Sequence, residues 1–479
     1  MLSVSALLIA TEFVVRVLLI IRILLQGRRK PSAQLAWVLV LVALPLFGIF
    51  VYLMIGETTL GRRRRARHLS IVQRIDAYEQ KAALTIPPSL PHVAPPWGQL
   101  AVLAESVGNT TVAGGNQFDL YSDTDEAITA LIKDIDGAAE HCHLLFFIYL
   151  CDNNGRRVAK ALERAVTRGV TCRLLVDAVG SRSFLKSSLC EELRRTGVKI
   201  VGALPASAIR LLAARIDLRN HRKIVVIDGQ IGYLGSQNIA DASFAPKAKY
   251  APWVDAMVRV VGPATRDLQV LFIEDWYLDS GEGLENLLNI IAPVTPGGMI
   301  AQVIGTGPNS RNEGLRELNH AAIHLARDEI IVTTPYFVPD DATAAALGTA
   351  ARRGVTTILV LPAINDSPFV AAASRRLYGP MLEAGVQIHH FNDGLLHAKT
   401  MTVDRDLAMI GSANLDRRSF ELNFEVSLVV YDTDFASRLR LLQRSYMDNS
   451  TQIDPDKWLL RRWPRRLVDN AAGTLAPLL

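Results

Sequence analysis

Two short stretches of this sequence place the same polar residues at the same intervals. Residues 221–228 read HRKIVVID and residues 397–404 read HAKTMTVD, so both fit the template H-x-K-x-x-x-x-D. Each is followed by a second match, GSQN at 235–238 and GSAN at 411–414, so serine and asparagine stand at the same offsets from the histidine in both copies. A duplication kept only for folding explains the glycines and the Asp-Gly pair. It does not explain histidine and lysine inside strand-like sequence.

Side chains alternate along a β-strand, so the histidine and lysine of each motif share one face. Asp228-Gly229 is typical of a two-residue hairpin turn, which would pair Lys223 with Leu234 and His221 with Ser236. A β-bulge would shift this register. The spacing predicts that each motif gathers histidine, lysine, serine and asparagine around one point.

Two such half-sites packed face to face would bring two histidines and two lysines together, which is costly to bury without an anion. A phosphodiester supplies that anion. Lysines provide charge, and serine and asparagine donate hydrogen bonds to its non-bridging oxygens. One imidazole can act as nucleophile and the other as proton donor, provided that one is neutral while the other is protonated. Their titrations would be coupled.

A nucleophilic histidine needs an acceptor that orients its second ring nitrogen. Two carboxylates interrupt apolar stretches downstream: Asp255 in WVDAMVRV follows the first motif, and Glu425 in NFEVSLVV follows the second. An unpaired carboxylate inside a buried strand is expensive. We expect each to orient the histidine of its own copy; a surface-facing carboxylate on an edge strand is the alternative.

The helices and strands that would position these residues are also predicted in two copies. Residues 159–175 and 343–360 both predict a helix that ends in Arg-Gly-Val and continues as an apolar strand. Each is preceded by an apolar strand with aromatic residues at its end, at 144–149 and 330–337, and followed by another helix that ends in Gly-Val. This order indicates an α/β fold of two duplicated halves with mixed sheets, packed pseudo-symmetrically and joined near 292–298.

The N-terminal part of the chain predicts a transmembrane helical hairpin. Residues 35–55 contain no charge and are long enough to cross a bilayer, which takes about 20 residues; a buried core helix is the alternative. Residues 4–25 are apolar but contain Glu12, Arg16 and Arg22, so this helix either spans the membrane or lies in the interface. Glu12 and Arg16 are expected to pair, four residues apart.

Basic residues beside the apolar stretches predict the orientation of the chain. Three lie in the short connection, at 28–30, and five follow the second stretch, within 62–67. This excess predicts a multi-pass protein whose larger, catalytic part faces the cytoplasm. The same arginines would attract anionic headgroups.

Composition bounds the remaining possibilities. The chain has 479 residues, a formal net charge of +5 and a mean hydropathy of +0.20, which is high for a soluble protein. Its four cysteines show no C-x-x-C spacing and are read as reduced, buried thiols. Glu140-His141-Cys142-His143 lacks spaced partners for zinc, and no Walker, EF-hand or H-E-x-x-H motif occurs. Neither a metal nor another cofactor is expected.

These features divide the chain into five parts. The predicted parts are 1–60, the membrane hairpin; 61–115, a basic and proline-rich linker; 116–291, the first half; 299–450, the second half; and 451–479, a basic and aromatic tail. The tail contains KWLLRRWPRRL at 457–467, which suits an interfacial anchor. A solvated C-terminal helix explains it equally well.

The doubled H-x-K-x-x-x-x-D motif with its trailing GSxN resembles the signature of the phospholipase D superfamily. The N-terminal apolar hairpin, the arginine run, TPYFVPD at 334–340 and SANLDRRSFELNFE at 412–425 are similar to bacterial cardiolipin synthases. The resemblance covers nearly the whole chain. It implies an enzyme of the bacterial inner membrane that transfers a phosphatidyl group between two phosphatidylglycerol molecules, giving cardiolipin and glycerol without a cofactor.

The resemblance also implies a role for each candidate residue. His221, by analogy, would attack phosphorus to give a phosphatidyl-histidine, and His397 would protonate the departing glycerol and then deprotonate the second lipid. The near-symmetry of the copies leaves the choice of nucleophile open. The other candidates are the phosphate-holding Lys223, Lys399, Ser236, Asn238, Ser412 and Asn414, and the motif-bracing Asp228 and Asp404.

Three rival functions remain open at the level of sequence. A nuclease of the same superfamily would need a continuous basic stripe, which the two halves lack, so nucleic acid is not expected as a partner. A hydrolytic phospholipase D would use water as acceptor in place of a lipid. A catalytically inactive membrane scaffold would carry degenerate motifs, and both motifs here are intact.

Overall fold

The computed structural model describes residues 4–26, 31–56, 61–83, 91–205, 215, 217–309 and 313–475. The strands before residue 290 are β1 Ala113–Tyr121, β2 His141–Phe146, β3 Thr171–Asp177, β4 Lys199–Ala203, β5 Arg219–Asn220, β6 Ile224–Ile227, β7 Ile231–Gly235, β8 Trp253–Val254 and β9 Met257–Val261. Those after it are β10 Met299–Thr306, β11 Glu329–Thr333, β12 Phe337–Val338, β13 Thr356–Pro362, β14 Gln387–Phe391, β15 Leu395–Leu396, β16 Thr400–Val403, β17 Leu407–Gly411, β18 Leu415–Asp416, β19 Asn423–Tyr431 and β20 Ser450–Gln452.

Helices fill the intervals between these strands. The first ten are α1 Val4–Leu24, α2 Pro31–Ala43, α3 Pro45–Ile55, α4 Arg62–Ala83, α5 Gly98–Gly108, α6 Thr124–Gly137, α7 Asn153–Thr167, α8 Arg182–Leu185, α9 Ser188–Thr196 and α10 Ala264–Ser280. The others are α11 Gly314–Leu325, α12 Asp341–Arg352, α13 Pro368–Glu383, α14 Arg417–Glu421, α15 Thr433–Asp448, α16 Pro455–Leu459 and α17 Trp463–Leu475. Two 3₁₀ segments occupy 245–250 and 285–289.

One continuous mixed sheet runs through both halves, in the order β20-β14-β13-β11-β16-β17-β19-β10-β1-β9-β7-β6-β2-β3-β4. The order within the first half, read from β1, repeats within the second half, read from β10, and the antiparallel β1–β10 pair joins them. In each half three strands are parallel, β2-β3-β4 and β11-β13-β14, because helices connect them. The predicted α/β fold with mixed strands is therefore confirmed, and the two halves join edge to edge in a single sheet.

The duplicated helix–strand units form as the sequence predicts. Helix α7 ends at Thr167 and helix α12 at Arg352, each just before an Arg-Gly-Val turn that leads into the next strand. The turn glycines, Gly169 and Gly354, have φ angles of 93° and 94°, a left-handed conformation that favours glycine at the end of a helix.

The apolar N-terminus forms three helices in place of the predicted two. Helix α1 agrees with the predicted 4–25, and its Glu12 and Arg16 pair at 3.4 Å, as expected. The predicted 35–55 helix is divided at Leu44 because Pro45 begins a new helix. Trp37 of α2 packs edge-on against Tyr52 of α3, with ring centroids 5.3 Å apart. No described helix combines the length and the apolarity that crossing a bilayer requires.

The segment predicted as a linker, 61–115, contains two helices that pack on the globular part. Helix α4 places Ile71 and Ile75 in the main apolar core beside Trp276. Its Arg64 donates two hydrogen bonds to Asp279, of 2.6 and 2.8 Å. The proline-rich stretch predicted at 85–98 is described only from residue 91, and helix α5 follows it.

Candidate active site

The two motif hairpins have three-residue loops, not the two-residue turn that the sequence predicts. Ile224 pairs with Leu234 and Ile227 with Ile231, so the register differs by one residue from the predicted pairing of Lys223 with Leu234. Asp228 takes a positive φ of 52°, as Asp404 does in the second hairpin. One extra residue in the loop moves the pairing by one position, as a β-bulge would.

Asp228 and Asp404 brace the far ends of the motifs and lie away from the histidines. The carboxylate of Asp228 accepts hydrogen bonds of 2.8 Å from the backbone N–H groups of residues 139, 140 and 141. Asp404 accepts the equivalent three, from residues 327, 328 and 329, at 2.7 to 3.0 Å. Seven residues of extended chain separate each from its histidine, roughly 20 Å. Both are therefore bracing residues, in agreement with the role that the resemblance implies, and neither reaches the histidines.

Each motif histidine is paired with the carboxylate of the other half. His221 Nδ1 lies 3.0 Å from both carboxylate oxygens of Glu425, and His397 Nδ1 lies 2.6 Å from Asp255 Oδ1. The expected pairing within each copy is therefore wrong. An ionised carboxylate has no proton, so Nδ1–H donates and Nε2 keeps its lone pair for chemistry.

Short parallel strand pairs between the halves produce this exchange. Strand β5 pairs with the start of β19, and the N–H of His221 donates to the carbonyl of Phe424, at 2.9 Å. Strand β15 pairs with β8, and the N–H of His397 donates to the carbonyl of Val254, at 2.7 Å. Each histidine is thus held beside the residue that precedes the other half's carboxylate.

The two motif serines contact the carboxylates. Ser236 Oγ donates to Asp255 at 2.6 Å, and Ser412 Oγ donates to Glu425 at 2.5 Å. Each hydroxyl also accepts a backbone N–H at 3.0 Å, and both side chains are fully buried. The serine protons are therefore engaged within the protein, which differs from the expected phosphate-binding role.

The two motif lysines lie inside one charged cluster with the histidines. Lys223 Nζ donates to the carbonyl of His221 at 2.6 Å, and Lys399 donates to the carbonyl of His397. Burial lowers the pKa of Lys223 to about 8 and that of Lys399 to about 7, while the nearby carboxylates act in the opposite direction. An anion in the site would restore the lysine charges.

The two motif asparagines differ in their contacts. Asn238 Oδ1 accepts the backbone N–H of Ile148 at 3.0 Å. The backbone N–H of Asn414 donates to Ser419 Oγ at 3.1 Å, and its buried Oδ1 has no partner among the described residues. Both side chains are 5% exposed, so a ligand is the natural partner for their remaining polar atoms.

Burial governs the protonation of the histidines. It lowers the pKa of both His221 and His397 to about 4, although the paired carboxylates raise it. The lysine of the opposite half lowers each histidine pKa further, so the four groups influence one another across the boundary between the halves. Burial alone would raise the pKa of Glu425, but attraction to His221, the hydrogen bond and Lys223 bring it to about 2. Without a ligand, both imidazoles are neutral and both carboxylates are ionised.

Two family models match this chain. The model described as cardiolipin synthase, PLD-like domain, matches residues 131–276 and 320–442, more than half of the chain. The chain belongs to the cardiolipin synthase family with PLD-like domains. A phospholipase D-nuclease N-terminal model matches residues 14–57.

Similar proteins include named members of the cardiolipin synthase family. Cardiolipin synthase A of Edwardsiella ictaluri (strain 93-146) is 37% identical over 466 residues, 96% of this chain and 95% of its own. Cardiolipin synthase A of Proteus mirabilis (strain HI4320) is 37% identical over 95% of this chain and 94% of its own. A solved phosphatidylserine synthase from Haemophilus influenzae Rd KW20 has a TM-score of 0.58 at 14% identity, with 78% of this chain and 99% of that chain covered. The last likeness shows a shared fold.

This member of the cardiolipin synthase family also has site residues that sequence reasoning missed. The ring of Phe147 lies 4.9 Å from that of His221, and the ring of Trp253 lies 4.7 Å from that of His397. Asn423 Nδ2 donates to Glu425 at 3.1 Å. Buried Arg222, between the motif histidine and lysine, donates to the backbone carbonyl of Glu425 at 3.0 Å. Phe147 lies within the strand predicted at 144–149 and Arg222 lies within a motif, so both had a signal in the sequence.

Proposed function

We propose that this chain is a cardiolipin synthase that transfers a phosphatidyl group from one phosphatidylglycerol to a second, giving cardiolipin and glycerol. The observation that carries the proposal is the pair of buried histidines, each bonded to the carboxylate of the opposite half and each with its pKa lowered by the charges of both lysines. The relatives named cardiolipin synthase A, which match almost the full length, support cardiolipin as the product.

The proposed first step forms a bond between His221 Nε2 and phosphorus and breaks the bond from phosphorus to the glycerol oxygen. His397 gives its proton to that oxygen, so glycerol leaves neutral. In the second step His397 accepts the proton of a hydroxyl on the second phosphatidylglycerol. That oxygen bonds to phosphorus, and the N–P bond breaks. Glu425 holds the nucleophile's Nδ1–H throughout, and Asp255 stabilises His397 when it is protonated.

The phosphodiester itself is proposed to set the protonation of the site. Both histidines are neutral without a ligand, which suits the nucleophile but not the acid. A bound anion raises the pKa of nearby cationic groups and draws a proton to His397 and the lysines. Lys223, Lys399, Asn238 and Asn414 are proposed to hold its oxygens. The dry surroundings of the histidines favour a lipid hydroxyl over water as acceptor.

The N-terminal segment is proposed to be the membrane hairpin, with the catalytic halves, 116–291 and 299–450, in the bacterial cytoplasm. Support comes from the uncharged run at 35–55 and from the match of residues 14–57 to an N-terminal family model. Alkaline phosphatase fused after residue 29 should be active in the periplasm, and the same reporter fused after residue 479 should be inactive. The opposite pattern contradicts the proposed topology.

The function is tested with purified full-length protein and labelled phosphatidylglycerol in mixed micelles. The proposal expects cardiolipin and glycerol in equal amounts; phosphatidic acid alone would identify a hydrolase, and no turnover a scaffold. His221→Ala and His397→Ala should each abolish turnover, whereas His324→Ala, at an exposed position on α11, should not. Quenching in alkaline detergent, in which the N–P bond survives, should trap a labelled phospho-protein that only the substitution of His221 prevents.

A further inference from the structure

The two C-terminal helices present a concentrated group of exposed apolar side chains. Exposed fractions there run from 47% to 82% within ten residues, at Leu459, Leu460, Trp463, Leu467 and Val468. Between residues 61 and 458, the exposed large apolar side chains of the described chain are scattered. A contiguous apolar patch of this kind marks an interaction surface.

A buried carboxylate fixes which side of α17 faces outward. Asp469 is 3% exposed and lies 3.0 Å from Arg375 Nε of α13 and 2.9 Å from Arg461 Nη1. One turn further on, Ala472 packs against Ala372 and Ala373 of α13. Separating a buried carboxylate from its cations is costly, so the helix is held against rotation about its axis.

Most of the side of α17 opposite Asp469 is apolar. At 100° per residue, four exposed apolar positions lie within about 60° of the direction opposite Asp469, and Val468 flanks them. The four are Trp463, Pro464, Leu467 and Ala471, and Thr474 is the polar exception. Exposed tryptophan and leucine on a helix held by its other side are typical of an element that lies in a membrane interface.

Exposed positive charge lies in and just before the first turn of α17, on the side of the helix nearer Asp469. Arg462, Arg465 and Arg466 are exposed, and no carboxylate among the described residues pairs with them. Near a surface of anionic lipid, each basic residue contributes about 1 kcal/mol of attraction. A second copy of the chain docked through the same face would bring arginine clusters close to each other, which is repulsive. The charges therefore favour lipid over a second copy.

We propose that the outer face of α17 lies in the interface of a bilayer that contains anionic phospholipid. This contact is separate from the proposed N-terminal hairpin and from catalysis. Because α13 is part of the second half, it would fix the orientation of that half relative to the lipid surface. Helix α13 begins two residues after Asp366, whose carboxylate accepts from Tyr336 and pairs with Lys247 of the first half.

The test places a nitroxide on full-length protein in bilayer nanodiscs. Cys151→Ser removes the one cysteine that is not buried, and Leu467→Cys or Leu441→Cys then carries the label. Leu441, on α15, is the matched control because it is 66% exposed against 60% for Leu467. In nanodiscs with phosphatidylglycerol, accessibility of the 467 label to a water-soluble nickel chelate should fall at least ~10-fold relative to the 441 label, with a gain in collisions with lipid-soluble oxygen.

Two further experiments decide whether lipid or a second copy of the chain covers this face. Nanodiscs of phosphatidylcholine alone, or Arg462→Gln, Arg465→Gln and Arg466→Gln together, should reduce the protection of the 467 label. Equal nickel accessibility at 467 and 441 in the anionic bilayer overturns the proposal. Protection that persists without anionic lipid and comes with strong broadening between labels would identify a second copy as the occupant, which also overturns it.

Discussion

At the scale of single residues, the two halves exchange the carboxylates that orient their histidines. The carboxylate that orients His221 belongs to the second half, and the one that orients His397 belongs to the first. Each serine of the GSxN segments donates to the carboxylate of its own half, so it supports the histidine of the other. The serine and the carboxylate of one half therefore orient the histidine of the other half.

The exchange makes Glu425→Gln a specific test. Glutamine keeps the size of the side chain but removes the charge and allows the wrong histidine tautomer, so turnover should fall about 100-fold or more. Labelled phospho-protein should form more slowly if His221 is the nucleophile, since Glu425 acts on that residue. Glu383→Gln, an exposed position on α13, is the control and should retain full turnover. Normal formation of the phospho-protein in Glu425→Gln would contradict the role assigned to this carboxylate.

Histidine burial also predicts how folding stability depends on pH. The folded pKa of His221 and His397 is about 4, below the ordinary 6.5, so the unfolded chain binds more protons between these values. Stability should therefore be complete above pH 6.5 and fall as the pH drops toward 4, by about 2 kcal/mol per histidine at pH 5. Thermal melts at pH 7.5 and 5.0 measure this, and His397→Asn should show a smaller difference than the wild type. An equal difference in both proteins would refute the assignment.

At the scale of elements, the segment after the N-terminal helices is part of the folded domain. Helix α4 contributes two isoleucines to the core and Arg64 to a partly buried ion pair with Asp279. The guanidinium of Arg64 also lies 5.9 Å from the ring of Phe424, the residue before Glu425. The start of α4 is therefore close to the active site, which links the proposed membrane segment to it.

Two substitutions test whether α4 packs on the folded domain or serves only as a spacer. Ile71 is fully buried, so Ile71→Ala should lower the free energy of unfolding by roughly 2–5 kcal/mol through lost burial and an unfilled cavity. Leu69→Ala, on the same helix at 56% exposure, should change it by less than about 0.5 kcal/mol. Chemical denaturation followed by circular dichroism gives both values. Equal, small effects would mean that α4 does not pack on the core in solution.

At the scale of the whole molecule, the two halves share a continuous sheet and a buried polar network. Besides the continuous sheet, buried Arg222 joins them: it pairs with Asp275 of the first half at 2.9 Å and donates to carbonyls of Glu425 and Thr306 in the second. The second motif has Ala398 at the equivalent position, so this bridge exists once among the described residues. Both halves should unfold together.

Removing this bridge should affect stability and catalysis at once. Arg222→Ala leaves the buried carboxylate of Asp275 without its cation, at a cost of roughly 3–5 kcal/mol, and frees the backbone beside Glu425. Asp275→Asn in the same chain should restore part of the stability but not the turnover. Calorimetry and the micelle assay provide the two readouts. Recovery of both together would show that Arg222 contributes only to folding.

The sequence by itself determined the duplicated α/β units and identified the residues of the proposed site. Those features follow from local patterns: alternation, helix ends and fixed spacing inside a single helix–strand unit or motif hairpin. The hairpin register remained open because a loop of two or three residues fits the same sequence. The partners of the histidines, the carboxylate-bound serines, the docking of α4 and the outward side of α17 depend on contacts between distant segments. Order along the chain favoured pairing within each copy, and only the packing of the two halves shows that the carboxylates are exchanged.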